Sequence, residues 1–384
     1  MKQGNQVGRI WPAESSVYTD PDTGTQIRQL TEHRAHSHHF YFTNIGWHAE
    51  GTRLLVASDR GNATNLYSID LSSGELLQLT DLAPLPLPRE VEFLRACASD
   101  TREEAFFWYG FKLVALDLTT LQTRVLYEME KGWDVSMINC SADGEHVYAS
   151  ISEDLSSQFR VDYLRGYVGF AETWAAMPLS RVLRVATDGS GGEVVHEEKY
   201  WIGHVNTSPT QNDILTFCHE GPWAKVDQRI WGLEISTGRV WKIRAPEQGE
   251  AVGHEYWHAD GERIGYHGRN PDGTQFLGHC RFDDSDRVEN SFPGQTGHIH
   301  SNDPELIVGD GGKLVRLWKW TGEVYDGPRQ LCRHDSSMKT QQLHVHPRFS
   351  HDNTQVLLTS DVSGYGNVYL ARVPDFASLP TIDE

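Results

Sequence analysis

The sequence predicts an all-β protein folded as a seven-bladed β-propeller. Three observations predict it. A unit of short strands and turns recurs roughly every 40 to 50 residues, in the range of propeller blades. Sustained helical periodicity of apolar residues is scarce. Aromatic residues make up 10% of the chain, which suits stacked sheets that share aromatic packing layers. A sandwich of two packed sheets is the weaker alternative.

The clearest copy of the repeat runs from Gly46 to Thr80. Apolar strands alternate there with turns at Glu50-Gly51 and Ser73-Gly74. Turns equivalent to the first one follow at Ser99-Asp100, Asp143-Gly144, Asn212-Asp213, Asp260-Gly261, Asp303-Pro304 and Asp352-Asn353. Counting these turns predicts seven blades in a single domain spanning residues 1–384.

Two irregularities refine this repeat. The interval between Asp143 and Asn212 is long, and we expect its extra residues, about 153–179, to form a loop or short helix that projects from one blade. The last copy, from Val345 to Val373, lacks an outer strand, whereas the N-terminal segment 16–30 has no blade of its own. The N-terminal strand is therefore predicted to complete the last blade and close the ring, which leaves no exposed sheet edge.

The charge of the chain restricts its partners. It has 34 basic and 53 acidic residues, a net charge of -19, which disfavours binding to nucleic acid or to an anionic membrane surface. No apolar stretch approaches the roughly 20 residues of a membrane span, and residues 1–9 lack the apolar core of a signal peptide. We expect a cytoplasmic protein without a membrane segment, and the sequence leaves monomer and homodimer open.

Histidines recur on the strands that should line the central channel. The first strand of each blade lines the channel of a propeller, and ligands bind at a mouth where loops of several blades converge. Histidine occurs at nearly the same position in four predicted innermost strands: His204, His254, His298 with His300, and His344 with His346. This recurrence indicates a functional site at one mouth.

The segment from Gln341 to Pro347 carries the strongest metal-site pattern. On a strand, His344 and His346 would point to the same face about 6 to 7 Å apart, so they could share one cation. Gln341 would reach that cation only if the chain bends, and His298 would supply a third imidazole. Such donors include no thiolate or carboxylate, which argues against structural zinc and favours Mn²⁺ or a similar octahedral ion. Packed or hydrogen-bonded histidines are the alternative.

A second group of polar residues surrounds Arg229. This arginine lies in an apolar strand, where an unpaired guanidinium is costly, so it requires an anion. The anion is either Asp227 or Glu220 of the same region, or the carboxylate of a substrate. His219 could equally be a structural residue.

Together these residues resemble those of the oligogalacturonate lyases, also called oligogalacturonide lyases, a family of seven-bladed propellers that act on short pectin fragments. The resemblance runs along most of the chain. It is densest in Trp201–His204, Phe217–Pro222, Val226–Trp231, Gly253–Trp257, His298–Asn302, Val308–Gly311, Arg333–Asp335 and Gln341–Pro347.

The resemblance implies roles for eight residues. The metal ligands fall on His298, Gln341, His344 and His346. His254 falls on the base that abstracts a proton, and Arg229 falls near the reacting sugar. His204 and His219 fall in flanking motifs that contact substrate or support the site. The implied activity is a metal-dependent β-elimination, with Mn²⁺ as the metal, that cleaves oligogalacturonides and gives 4,5-unsaturated products.

The chain departs from the family pattern near the expected mouth. Val345 stands where the family usually has proline, Trp223 replaces a smaller polar residue or histidine, and the segment from Gly311 to Arg333 is shorter. These positions affect substrate length and the identity of the uronate more than the reaction. A related lyase for another uronate therefore stays open, as does a noncatalytic propeller that binds a partner.

Overall fold

The computed structural model describes residues 3–87 and 89–382. Seven antiparallel sheets form within these ranges, and they are arranged as the blades of a propeller. The predicted all-β, seven-bladed fold is confirmed. No helix in the described ranges is long and apolar enough to cross a membrane.

The blades, numbered along the chain, comprise the following strands from the innermost outward. Blade 1 has Ser37–His38 with Trp47–His48, then Arg53–Ser58, Asn65–Asp70, Leu76–Gln78 and Ile10–Trp11. Blade 2 has Cys97–Ala98, Glu104–Tyr109, Lys112–Asp117 and Thr123–Glu128. Blade 3 has Trp133–Cys140, His146–Glu153, Leu179–Ala186 and Gly192–Lys199. Blade 4 has Ile202–Thr207, Ile214–His219, Ile230–Glu234 and Arg239–Ile243.

The remaining blades follow the same order. Blade 5 has Ala251–Trp257, Arg263–Arg269, Gln275–Arg281 and Val288–Ser291. Blade 6 has Ile299–His300, Leu306–Gly311, Leu314–Trp320 and Tyr325–Arg333. Blade 7 has Arg348–Phe349, Gln355–Ser360, Asn367–Arg372, Gln26–Gln29 and Ser16–Thr19. The helical elements are the α-helix Phe170–Ala176, between the second and third strands of blade 3, and the 3₁₀ turns Gln341–Leu343 and Phe376–Ser378.

The N-terminal chain closes the ring, as predicted. Its strand Gln26–Gln29 pairs antiparallel with Asn367–Arg372, with Ile27 opposite Ala371. The strand Ile10–Trp11 also adds an outer edge to blade 1, which the sequence did not predict. The N-terminal chain thus adds strands to both blade 7 and blade 1, and Ser16–Thr19 and Ile10–Trp11 are the outermost strands of these two sheets. The predicted absence of an exposed sheet edge is therefore wrong, because Ser16–Thr19 is an exposed edge strand.

Aspartate side chains fix the outer hairpin turns. Oδ1 of Asp70 accepts hydrogen bonds from the backbone N–H groups of Ser72 and Ser73, both at 2.9 Å. Gly74 follows with φ 81°, which glycine adopts without steric cost. The hydrogen bond from the Ser72 hydroxyl, together with those backbone bonds, lowers the pKa of Asp70 to about 2. The spacing of these turns sets the strand lengths locally.

The apolar core is divided into layers between adjacent blades. Leu55 of blade 1 and Phe107 of blade 2 belong to one such layer, and Ile230 of blade 4 and Tyr266 of blade 5 belong to another. All four are at most 1% exposed. Burying each such side chain contributes about 1.5 to 3 kcal/mol, so the ring holds the inner strands in fixed positions.

Candidate metal centre and catalytic cavity

Three inner strands carry a β-bulge at the same level of the channel. A bulge adds an unpaired residue and turns side chains away from strict alternation. The register shifts lie between Val135 and Ile138, between Ile202 and Val205, and between Gly253 and Tyr256. His204 and His254 lie within the second and third bulges, and both side chains line one cavity of about 450 Å³ at this end of the channel.

Three histidines converge beside this cavity. Nitrogen atoms of His298, His344 and His346 all lie within 4.8 Å of one another. His298 immediately precedes the inner strand of blade 6. His344 and His346 lie in the loop before blade 7 rather than on a strand, and His346 has a left-handed φ of 43°. The two histidines therefore converge through a bend in the backbone.

Asp310 fixes the orientation of His298. Its Oδ2 lies 2.9 Å from Nδ1 of His298, and its Oδ1 accepts a hydrogen bond from the backbone N–H of His298 at 2.7 Å. The buried carboxylate thereby selects the tautomer with the proton on Nδ1. Nε2 of His298 is left with a lone pair for a metal.

The other two histidines fit a metal for a different reason. Nδ1 of His344 and Nε2 of His346 are buried, and neither has a hydrogen-bond partner among the described residues. Burial lowers the pKa of His344 to about 4 and the pKa of His346 well below its ordinary value, because a buried imidazolium is poorly solvated. Unprotonated imidazoles gathered this closely are the form that a cation requires.

Gln341 lies on the same cavity. A turn of 3₁₀ helix begins at Gln341, which is the bend that the sequence required of this segment. The backbone N–H of Gln341 donates to the carbonyl oxygen of Leu164 at 2.9 Å, so the segment between the second and third strands of blade 3 holds it. Its side chain lines the cavity together with His298.

His254 is held next to the histidine cluster. Its Nδ1 lies 2.9 Å from Nε2 of His267, and its ring centroid lies 4.8 Å from the ring of His298. Trp223 contacts it edge to face at 4.8 Å and packs so closely that a Cβ at Gly253 would lie 2.4 Å from the indole. Burial lowers the pKa of His254 well below its ordinary value. His254 is therefore neutral at neutral pH.

Arg229 is paired by two buried carboxylates. Nη1 lies 2.6 Å from Oε1 of Glu220, and Nε lies 3.3 Å from Oε2 of Glu255. Of the partners that the sequence left open, the structure shows Glu220 rather than Asp227, whose side chain is 72% exposed. Sequence reasoning did not single out Glu255. Its place beside His254 in the third bulge brings it to the arginine.

The two flanking histidines lie in different surroundings. Nε2 of His204 lies 3.6 Å from Oε2 of Glu220, and His204 lines the cavity. His219 stacks on Tyr200 with ring centroids 3.8 Å apart, and its Nε2 lies 2.9 Å from Oε1 of Glu198. The structure therefore brings His204 to the site and leaves His219 in a packed position outside the cavity lining.

The segment 154–178 forms one wall of the cavity. Tyr163 packs against Trp201 with ring centroids 5.0 Å apart, and Phe170 contacts Trp201 at the same distance. Arg160 lines the cavity from the same segment. An aromatic wall with a nearby cation suits a sugar that carries a carboxylate.

Comparison with known proteins identifies the family. Residues 3–317 match the family model described as oligogalacturonate lyase. This chain belongs to the oligogalacturonate lyase family. The predicted family is confirmed, and so is the prediction that the protein is a lyase.

Relatives of this family match nearly the whole chain. The oligogalacturonide lyase of Pectobacterium atrosepticum is 27% identical over 98% of this chain and 99% of its own length. The oligogalacturonate lyase of Dickeya dadantii is 26% identical over 94% of this chain and 96% of its own.

Two solved structures match over similar lengths. A structure of oligogalacturonate lyase in complex with manganese is 25% identical, with a TM-score of 0.87 over 97% of this chain and 99% of its own. The oligogalacturonate lyase structure from Vibrio parahaemolyticus, 24% identical, shares the fold, with a TM-score of 0.86 over 96% of this chain and 99% of its own.

Proposed function

We propose that this lyase cleaves short oligogalacturonides by metal-dependent β-elimination and releases 4,5-unsaturated uronate products. The observation that carries the proposal is a single cavity lined by His298 of the histidine cluster, by His254 and by Arg229. A metal ligand, a neutral base and a fixed cation are the groups needed to remove a proton next to a carboxylate. Membership of the family supports the assignment.

We assign the metal to His298, Gln341, His344 and His346, and we propose Mn²⁺. The manganese complex of a structural relative supports this choice, as does a donor set of imidazoles and an amide oxygen. When bound, the cation stabilises the negative charge that develops on the uronate carboxylate as C5 loses its proton.

His254 is the proposed base. The bond between its Nδ1 and His267 fixes the ring and leaves Nε2 as the nitrogen available to the substrate. Nε2 accepts the proton from C5, the electron pair of that C–H bond forms the C4–C5 double bond, and the C4–O4 bond breaks. Water supplies the proton to the departing O4.

Arg229 acts as a fixed positive charge. Its guanidinium stays protonated at all working pH values, so it stabilises charge at the carboxylate or at O4 rather than donating a proton. Glu220 and Glu255 hold it in place, but they also give this group of three a net charge of about −1. A polyanionic substrate therefore needs further cations.

We propose Arg160 as the next of these cations. The other three arginines on the cavity have ion pairs: Arg95 with Glu92, Arg165 with Glu90, and Arg229 with Glu220. Arg160 forms no ion pair with any residue of the described ranges and lies beside the aromatic wall. It is placed to bind the carboxylate of a neighbouring uronate.

An ultraviolet assay tests the proposed function. Purified protein, stripped with chelator and reloaded with Mn²⁺, should convert di- and trigalacturonate into products that absorb through the 4,5 double bond. The absorbance increase should disappear on chelation and return with metal. Full turnover after exhaustive chelation would show that the reaction does not need a metal. No turnover on any uronide would exclude the proposed activity.

Asp310→Asn should weaken metal binding about 10- to 100-fold, because the amide no longer fixes the His298 tautomer. Metal titration monitored by calorimetry measures the change, and turnover at saturating Mn²⁺ should largely recover. Asp272→Asn, at an exposed outer turn, is the matched control. Unchanged affinity in Asp310→Asn would mean that this carboxylate only supports the fold.

Arg160→Gln should raise KM for trigalacturonate about tenfold or more while kcat changes little, since a charged hydrogen bond to a distant carboxylate is lost. Initial rates by ultraviolet absorbance separate the two constants. Arg239→Gln, an exposed arginine on the outer strand of blade 4, is the control. An unchanged KM in an active Arg160→Gln enzyme would exclude this contact.

We also propose a cytoplasmic enzyme that is a monomer or homodimer and binds no nucleic acid. The net charge of -19 supports the last of these. Light scattering coupled to size-exclusion chromatography measures the oligomeric state, and fractionation of the producing cells locates the protein.

A further inference from the structure

A second cavity, of about 1000 Å³, lies at the other end of the channel. The inner strands connect the two cavities: in blade 3, Asp134 lines the first cavity and Asn139 the second, and in blade 4, His204 lines the first and Asn206 the second. None of the proposed catalytic groups lines this second cavity.

A thin layer of protein separates the cavities. Tyr41 lines the first cavity and Thr43 lines the second. Phe42, which lies between them in the sequence, is 1% exposed. Arg348, on the inner strand of blade 7, donates a hydrogen bond from Nη1 to the carbonyl oxygen of Phe42. Arg348 lines the second cavity next to this layer.

Arg348 has no carboxylate partner. No carboxylate oxygen of the described residues lies within the 4.0 Å that defines an ion pair with its guanidinium. Three buried arginines are each paired with a carboxylate: Arg60 with Glu14 at 2.9 Å, Arg229 with Glu220 at 2.6 Å, and Arg244 with Glu289 at 2.6 Å. Arg348 is half-buried, and partial withdrawal of a guanidinium from bulk water without an anion is unfavourable, so an anion that binds Arg348 should stabilise the fold.

Neutral hydrogen-bonding groups from two other blades line the same cavity. Nδ1 of His300 accepts from the backbone N–H of Phe349 at 3.3 Å, so the proton of His300 is on Nε2. No hydrogen-bond acceptor for this Nε2–H is found among the described residues. Asn206, 3% exposed, has neither amide atom hydrogen-bonded within the described ranges.

Four acidic residues line this cavity: Glu103 and Asp352 have hydrogen-bond partners within the protein, and Glu50 and Asp100 are exposed. Oδ1 of Asp352 accepts from the hydroxyl of Ser350 at 2.6 Å, and Glu103 lies 3.1 Å from His48. Asp100 is exposed and stays beyond ion-pair distance of Arg348. Together with the net charge of -19, these carboxylates disfavour the binding of a large polyanion, but a small anion can bind at Arg348 without contacting them.

We propose that the second cavity binds a small oxyanion, with Arg348 as its cation and His300 and Asn206 as neutral donors. A planar carboxylate and a tetrahedral oxyanion share the chemistry that this guanidinium recognises. Binding there offsets the cost of the unpaired charge and stabilises the ring from the side opposite the catalytic cavity.

Thermal unfolding of the Mn²⁺-loaded protein tests the site, with acetate as the planar probe, sulfate as the tetrahedral probe, and chloride at equal ionic strength as the reference. Wild type should gain about 3 °C in Tm at an anion concentration near 100 times Kd. Arg348→Met should lose this gain, and without anion it should unfold at or above the wild-type temperature. Sulfate also raises Tm without a binding site, so the anion with the larger difference in shift between wild type and Arg348→Met identifies the class.

Matched variants separate this site from the metal. Arg102→Met removes an arginine of the same cavity whose side chain is 40% exposed and should keep the full shift. Asn206→Leu leaves Arg348 in place and should reduce the shift. Anion binding at the metal would be equal in wild type and Arg348→Met. An equal shift in these two proteins, or no shift relative to chloride in wild type, would overturn the proposal.

Discussion

His254→Asn should reduce turnover by about 10³-fold and leave metal binding unchanged. General base catalysis contributes roughly 10² to 10⁴ in rate, and asparagine has no nitrogen lone pair that can accept a proton at neutral pH. Asparagine is the informative replacement because His254 has a φ of 51°, and asparagine tolerates this left-handed conformation better than alanine. The kcat from the ultraviolet assay and the Mn²⁺ content of the purified variant measure the two effects.

The control for this variant is His279→Asn. His279 lies on the third strand of blade 5 and lines neither cavity, so its replacement should keep kcat near the wild-type value. If His254→Asn lost its Mn²⁺, His254 would be a ligand rather than the base. If it kept full kcat, the proton would be removed by another group.

The blades were predictable because their signals are local. An Asp, Asn or Gly turn between two short apolar strands is readable within about ten residues, and its repetition gives the blade number. Ring closure followed from counting, since the last repeat lacked an outer strand and the segment 16–30 had no blade of its own. The additional strand Ile10–Trp11 carried no comparable signal, because its pairing with Leu76–Gln78 is set by distant residues.

The bulges could not be predicted in this way. Strict alternation would place His254 and Glu255 on opposite faces of the strand. Instead, His254 lines the cavity and Glu255 pairs with Arg229 of the same cavity. The register shift depends on pairing with the second strand of the blade. For the same reason, the sequence could not show that Glu255 and Glu220 share Arg229.

The convergence of the two histidines was predicted from their spacing, but the strand on which they were expected to lie was wrong. His344 and His346 converge through a 3₁₀ turn and a left-handed residue rather than through strand alternation. Asp310 lay within a segment of the family resemblance, but only the fold places its carboxylate on His298. His219, in contrast, was singled out from the sequence but lies outside the cavity lining. Its residue type alone could not distinguish a packed histidine from one at the cavity.

His346→Asn should lower Mn²⁺ affinity by more than about 100-fold and remove turnover at micromolar metal. Replacing a ligand should cost at least as much as the 10- to 100-fold typical of residues that only support ligands. Asparagine again suits the left-handed backbone, here with φ 43°. Calorimetric titration with Mn²⁺ measures the affinity, and a His351→Asn variant, whose histidine lines the second cavity, is the control.

Thermal unfolding, which needs no activity assay, tests the same variant independently. Metal that binds only the folded protein raises Tm, so wild type should show a Tm that increases with Mn²⁺ concentration, and His346→Asn should not. Asparagine places a polar amide at a buried position, so the stability of the metal-free variant can also change for reasons of packing. The increase in Tm on adding Mn²⁺, measured for each protein against its own metal-free form, therefore reports on the ligand. A variant that was destabilised equally with and without Mn²⁺ would show that His346 serves packing rather than metal binding.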